Sequence, residues 1–236
     1  MVVGLGPGNR ESFTPEALQA IQTAQVVVGY HTYLELIPDL MEGKERVATA
    51  MRGEVDRARQ AVELAAGGRH VAVVSSGDPG IYGMAGIILE VAQGRVPVRV
   101  IPGVTAASAA AAALGAPLMN DFAVISLSDL LTPWETMIKR IEAASAGDFV
   151  IVLYNPRSHG RPDHIKEARK IFLKHRLPET PVGIVRCARR GQEGKILTTI
   201  QEMLHHEIDM LTTVIIGNSQ TRVVGETMLT PRGYCL

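Results

Sequence analysis

His70-Val71-Ala72-Val73-Val74-Ser75-Ser76-Gly77-Asp78-Pro79-Gly80-Ile81-Tyr82-Gly83 is the stretch on which the fold turns. It opens with an apolar run through Val74 that reads as a buried strand. The chain then enters a loop holding Gly77, Gly80, Gly83, Pro79 and one carboxylate, Asp78. Met84 to Val91 follows with the apolar spacing of a helix. Strand, glycine-rich loop and helix together make the repeating unit of an α/β fold. In open α/β sheets, ligands sit beyond the carboxyl ends of strands, where glycine lets backbone approach them closely. The loop is therefore the expected small-molecule site. Asp78 keeps a second reading, as the cap of the helix that follows.

Outward from this loop, strands and helices alternate. Val2-Val3-Gly4-Leu5 reads as a strand followed by the turn Gly6-Pro7-Gly8. Thr14-Pro15-Glu16 carries a capping hydroxyl, a proline at the first helical position and an acid in the first turn, so a helix runs from there to about Ala24. Strands are expected at 26–29 and 96–101, the latter ending in Pro102-Gly103. Helices are expected at 53–66, stopped by Gly67-Gly68, and at 105–114, an alanine-rich segment stopped by Gly115. The rhythm breaks at Ala116-Pro117-Leu118-Met119-Asn120-Asp121, which sets the expected domains at 1–118 and 119–236. The second half repeats the alternation, with strands at 122–127, 149–153, 182–185 and 213–216 and helices at 133–144, 163–174 and 200–205. The expectation is a two-domain α/β protein with its ligand in the cleft between the halves.

Composition narrows the function. Hydrophobic residues make up 46% of the chain and charged residues 20%, as in a folded globular protein. Aromatics are 4%, too few for a base-stacking platform, and the net charge is zero, so nucleic acid and membrane surfaces are not expected partners. Cys187 and Cys235 are too few for a thiolate metal centre or a disulfide framework, and no protein-bound metal is expected. His205-His206 is a poor metal pair, because adjacent helical residues point to different sides. No window approaches roughly 20 uninterrupted apolar residues, and the N-terminus has no signal-peptide pattern, so a cytoplasmic location is expected. Gly4-Leu5-Gly6-Pro7-Gly8-Asn9 invites a dinucleotide reading. The third fingerprint glycine is replaced by Asn9, however, and the second strand ends in Gly29-Tyr30 where the ribose-binding acid belongs, so that reading is disfavoured.

Three signatures taken together carry a resemblance: Gly4-Leu5-Gly6-Pro7-Gly8, Ser76-Gly77-Asp78-Pro79 and Pro102-Gly103-Val104-Thr105-Ala106. The chain resembles the tetrapyrrole methyltransferases, two-domain α/β enzymes that use S-adenosylmethionine. Ile125 to Trp134, Tyr154-Asn155-Pro156-Arg157-Ser158 and Leu229-Thr230-Pro231-Arg232-Gly233-Tyr234 make it most similar to one branch. That branch methylates C-17 of precorrin-3B or cobalt-factor III and contracts the ring on the way to cobalamin. The resemblance implies S-adenosylmethionine contacts from Pro7, Ser76, Gly77, Asp78, Ile81, Thr105 and Ala106, and from Tyr154, Asn155 and Ala188 in the second half. It also implies a tetrapyrrole substrate, any cobalt belonging to that substrate, and a homodimer.

The implied chemistry makes two demands. Methyl transfer needs in-line geometry and no covalent nucleophile. Ring contraction needs a proton moved at an oxygen of the bridging carbon, hence an acid or base within reach. Asp129 is the first candidate, with Ser128 as helper; Asp78 is the second, and His31 could also shuttle a proton. Asp129 and Thr132 keep the alternative of capping the helix that begins at Pro133. The acetate and propionate rim of the substrate calls for arginine, whose planar fork bonds both carboxylate oxygens. Arg157, Arg161 and Arg232 are the candidates, with Arg52, Arg186, Arg189, Arg190 and Lys195 behind them. Methylation at another ring carbon, or sequestration of a tetrapyrrole without turnover, remains an open alternative at this stage.

Overall fold

The structure is a computed structural model that describes residues 1–50, 53–158 and 160–235; Arg52 lies outside them. The chain forms two compact units, Met1–Ala106 and Ala107–Leu236.

The first unit runs β1 (Val2–Gly4), α1 (Pro15–Thr23), β2 (Val26–Tyr30), α2 (His31–Leu34), β3 (Glu45–Thr49), α3 (Glu54–Ala66), β4 (Val71–Ser75), α4 (Ala85–Ala92) and β5 (Val100–Ile101). Its strands form one parallel sheet in the order β3-β2-β4-β1-β5. Both faces are covered. Val2, Val26, Val28, Val71 and Val73 pack on α3 and α4, while Val3, Val27, Ala72, Val74 and Ile101 pack on α1 and α2. The strands are apolar at every position because alternate residues feed different cores. α1 starts as its sequence dictates, with the Thr14 Oγ1 accepting from Ala17 N at 3.1 Å and Pro15 in the first turn. The strand expected over 96–101 contracts to Val100–Ile101, downstream of Pro97, which has no N–H to give a ladder. β3 was not anticipated: it is an exposed edge strand paired only to β2, with no apolar run to betray it.

The second unit comprises α5 (Ala106–Leu114), β6 (Gly115–Ala116), β7 (Phe122–Ser126), α6 (Trp134–Ala146), β8 (Val150–Tyr154), α7 (His164–His175), β9 (Pro181–Arg186), β10 (Gly194–Thr199), β11 (Thr212–Ile216), β12 (Arg222–Val224) and β13 (Thr227–Leu229). A mixed sheet runs in the order β10-β9-β11-β8-β7, parallel only between β7 and β8. α6 and α7 cover one face through Ile141, Ile165, Ala168 and Phe172. α5 covers the other, laying Ala107, Ala110, Ala111 and Leu114 on Val150, Val152, Val185 and Ile215. Gly183 makes this close approach possible, since a Cβ there would sit 2.2 Å from Leu114 Cδ1. The helix expected over 200–205 is only a 3₁₀ turn at Met203–His205, and the residues before it are the unanticipated edge strand β10. β13 pairs with β12 on one side and β6 on the other in a small three-stranded sheet that the sequence does not announce.

The division by packing differs from the expected one at 118/119 by the length of α5 and β6. The break at Ala116–Asp121 is a real loss of rhythm. The alanines before it nevertheless find their partners in the second sheet, and packing partners decide which domain a helix belongs to.

Candidate active site

In the first unit, three loops leave the carboxyl ends of adjacent strands β4, β1 and β5 and knit together. Gly6 and Gly77 exchange backbone hydrogen bonds of 3.1 and 2.7 Å, and Leu5 N donates to Ser75 O at 2.9 Å. A Cβ on Gly103 would lie 2.3 Å from Gly77 O, and one on Gly4 would lie 2.6 Å from Gly103 N. No side chain fits at either position, so the loops touch backbone to backbone. Gly77 is different: its φ of +67° demands glycine, yet its Cβ direction is open, with Thr105 Cα and Ala106 N the nearest atoms at 3.9 Å. Ser76, Thr105 and Ala106 line this crossing, Pro7 is buried at its base, and Ile81 and Tyr82 are exposed on the loop beyond.

Asp78 does not cap the following helix, which begins at Ala85. Its Oδ1 accepts from Gly80 N at 2.8 Å and its Oδ2 from Gly103 N at 3.1 Å. Each oxygen ties down one loop, which makes Asp78 the strap of the crossing. Arg57, which sequence reasoning missed, is buried and donates to Thr49 Oγ1 and Ala50 O, anchoring the end of β3. Burial pushes its guanidinium below the ordinary value, against an opposing pull from Glu54, Tyr33 and Tyr30.

In the second unit, the loop after β7 carries Asp129. This residue is no helix cap either, because α6 begins at Trp134 behind Pro133 without a side-chain cap. Its Oδ1 faces Arg161 Nε and its Oδ2 faces His164 Nε2, each at 3.6 Å. Both side chains reach back to the Leu127 carbonyl, Arg161 Nη1 at 2.7 Å and His164 Nδ1 at 3.0 Å. The imidazole lies flat on Trp134, with centroids 4.1 Å apart and planes 9° from parallel. Arg161 therefore turns inward to this loop. Arg157 and Arg232 are exposed. Ser126 Oγ accepts from Asn155 Nδ2 at 2.9 Å and from the Ser128 backbone N at 3.2 Å, and the Tyr154 hydroxyl accepts from Ala107 N at 2.7 Å. Leu130 and Leu131, next to Asp129, are 64% and 93% exposed and give this loop an apolar surface.

The backbone marks the same places. Six non-glycine residues among those described have positive φ. Gln93 and Asp148 sit at helix ends, where the left-handed conformation is ordinary. Tyr82, Asn155, Cys187 and Arg189 instead lie in loops past β4, β8 and β9, where strain is characteristic of functional positions. Ala188 falls inside this last strained segment. Arg186 pairs with Asp209 at 2.8 Å. Burial pushes the Asp209 carboxyl up, but hydrogen bonds from Arg186, Thr212 and Leu211 N outweigh burial and hold it below its ordinary value. Sequence reasoning missed His164, Trp134, Ser126 and Asp209. A histidine just after Asp163 at a helix start was the available signal for the first. His31 stacks on Tyr30 and lies 4.0 Å from Glu35, apart from the residues described here.

The family model for Tetrapyrrole (Corrin/Porphyrin) Methylases matches residues 1–204. A Salmonella typhimurium protein described as a probable cobalt-factor III C(17)-methyltransferase is 50% identical over 238 residues, covering 100% of this chain and 99% of that protein. A Priestia megaterium protein described as a cobalt-factor III methyltransferase is 49% identical over 241 residues; these cover 99% of this chain but only 45% of the longer relative. Among solved structures, the methyltransferase CobJ is 40% identical, with a TM-score of 0.91 over 98% of each chain.

Proposed function

We propose that this chain, which belongs to the tetrapyrrole (corrin/porphyrin) methylase family, transfers a methyl group from S-adenosylmethionine to C-17 of precorrin-3B or cobalt-factor III and contracts the macrocycle, a step of cobalamin biosynthesis. The observation that carries this reading is the end-to-end match, at 50% identity, to the Salmonella relative.

The glycine crossing suits the methyl donor. Its surface is backbone, kept free of Cβ atoms at Gly4, Gly77 and Gly103, so a nucleoside with a polar tail can lie directly against amides and carbonyls. Ser76, Gly77, Thr105 and Ala106 would hold the donor, with Pro7 and Ile81 as apolar walls. Asp78 would act by keeping the loops in place. Tyr154, Asn155 and Ala188 are the proposed contacts from the second unit. When bound, S-adenosylmethionine supplies an electrophilic methyl on a sulfonium that departs as a neutral thioether. The residues need only hold the two reactants in line, so rigid backbone is the right material.

The second unit offers what the macrocycle needs. Leu130 and Leu131 present apolar surface to a flat conjugated ring, and the exposed Arg157 and Arg232 can meet its carboxylate rim. Asp129, with Ser128 beside it, moves the proton at the oxygen on the bridging carbon during contraction. The same reading carries a cytoplasmic homodimer. No helix among the described residues is long and apolar enough to cross a membrane. The edge strand β12 leaves Val223 and Val224 about half exposed, as a strand awaiting a second copy would.

Purified protein incubated with methyl-labelled S-adenosylmethionine and a trimethylated precorrin or cobalt-factor III tests the proposal. Label must enter the macrocycle, and the product must show the mass and absorbance of a contracted ring. Binding of both ligands without transfer defeats the enzyme reading. Transfer without contraction points to another ring carbon.

A further inference from the structure

We infer that His164 is a positioning residue that sets the Asp129 carboxylate for proton transfer, acting through Asp129 and not on the substrate itself. The inference rests on the proposed role of Asp129 in contraction.

The geometry begins with the Leu127 carbonyl. A carbonyl oxygen only accepts, so His164 Nδ1, 3.0 Å away, carries a hydrogen. This leaves Nε2 as the nitrogen facing Asp129 Oδ2 at 3.6 Å. The ring therefore bridges the Leu127 carbonyl and the Asp129 carboxylate, one nitrogen toward each. Trp134, stacked at 4.1 Å, removes the rotational freedom of the ring, and Ile165, the next residue, is buried in the core and fixes its root. Arg161 mirrors the arrangement on the other oxygen. The other charged groups near the imidazole are Asp163, already held by Lys166 at 2.7 Å, and Arg157 beyond it.

The separations explain why this is a clamp that leaves Asp129 available. At 3.6 Å neither Arg161 nor His164 makes a direct hydrogen bond to Asp129, which needs about 2.7–3.2 Å. Asp129 is flanked by Arg161 and His164 from two sides while its lone pairs stay available to a substrate hydroxyl. Because Asp129 caps no helix, its orientation among the described residues comes from Arg161 and His164.

Two isosteric variants separate positioning from simple structure. The amide of His164→Asn can replace Nδ1 at Leu127 but cannot reach Asp129; the longer His164→Gln can place its amide near Nε2. Methyl transfer and contraction are followed separately, with KM for both substrates and the thermal midpoint of each variant. His164→Asn is expected to transfer methyl at the parental rate and to contract about a hundredfold more slowly, the scale of a misplaced catalytic group. His164→Gln is expected to recover at least tenfold of that loss, roughly the share of one restored contact. Asp129→Asn combined with His164→Asn is expected to contract no more slowly than Asp129→Asn alone. Contraction at the parental rate in His164→Asn, equal defects in the Asn and Gln variants, additive defects in the double variant, or parallel loss of both steps with a lowered midpoint would each overturn the inference. If Asp129→Asn itself contracts normally, the role given to Asp129 fails first and the role of His164 falls with it.

Discussion

The two regions proposed to handle the ligands are made of different materials. The loops of the first unit are backbone meeting backbone: Gly4 and Gly103 exclude side chains, Gly77 is held to glycine by its positive φ, and the carboxylate of Asp78 is consumed by Gly80 N and Gly103 N. The loop after β7 in the second unit is a side-chain construction, with Asp129 suspended between Arg161 and His164 and the ring of His164 pinned by Trp134. The difference follows the chemistry assigned to each. Holding a donor in line requires shape and stiffness, which backbone provides without rotamer freedom. Moving a proton requires a titratable group kept in place but not saturated with hydrogen bonds.

The contrast can be broken by substitution. The largest effect is expected from Asp129→Asn, which should slow contraction roughly a hundredfold to ten-thousandfold while sparing methyl transfer and the fold. A joint loss of both steps would place Asp129 in substrate binding. Gly103→Ala comes next. Its Cβ meets the Gly77 carbonyl oxygen, which Gly6 N holds in place, so unfolding in denaturant should show a loss of about 1–3 kcal/mol, together with loss of donor binding. Unchanged donor affinity by calorimetry would mean that the crossing is not the donor site. Leu131→Ser should raise KM for the tetrapyrrole roughly tenfold, the share of a leucine burial that a partial contact provides, and leave donor affinity alone. Gly77→Ala sharpens the first unit itself: with open space around its Cβ, it should lose only about 1 kcal/mol to left-handed strain, less than Gly103→Ala.

The smallest effect belongs to Asp209. Its folded carboxyl lies below the ordinary value, so its contribution is present above the unfolded carboxylate value and disappears as pH falls through the folded one. Asp209→Asn should be less stable than the parent near neutrality by under about 1 kcal/mol. Thermal melts should show that difference closing below about pH 4. A difference that persists in acid would assign the loss to packing.

Legibility from sequence followed the same division. The parallel strands around Val2, Val26 and Val71 announce themselves because both faces are buried and every residue is apolar. β3 and β10 are half-exposed edges whose residues resemble loop, and Ile200 to His205 looked helical because Ile200 and Met203 are core residues at helical spacing. The glycine loops were legible because glycine is itself the local signature. Asp129 was legible as a candidate, but its two readings could not be separated until the start of α6 was known.

What this sequence determined alone was local: where the buried strands lie, which loops must be glycine, that Thr14 caps the first helix, and which carboxylates stand in the loops. Those features depend on residues a few positions apart. Only the tertiary structure decided that α5 packs on the second sheet, that Asp78 spans two loops and that His164 and Arg161 flank Asp129. These are contacts between residues distant in the chain, chosen by which surfaces bury each other, and no periodicity within a single segment encodes such a choice.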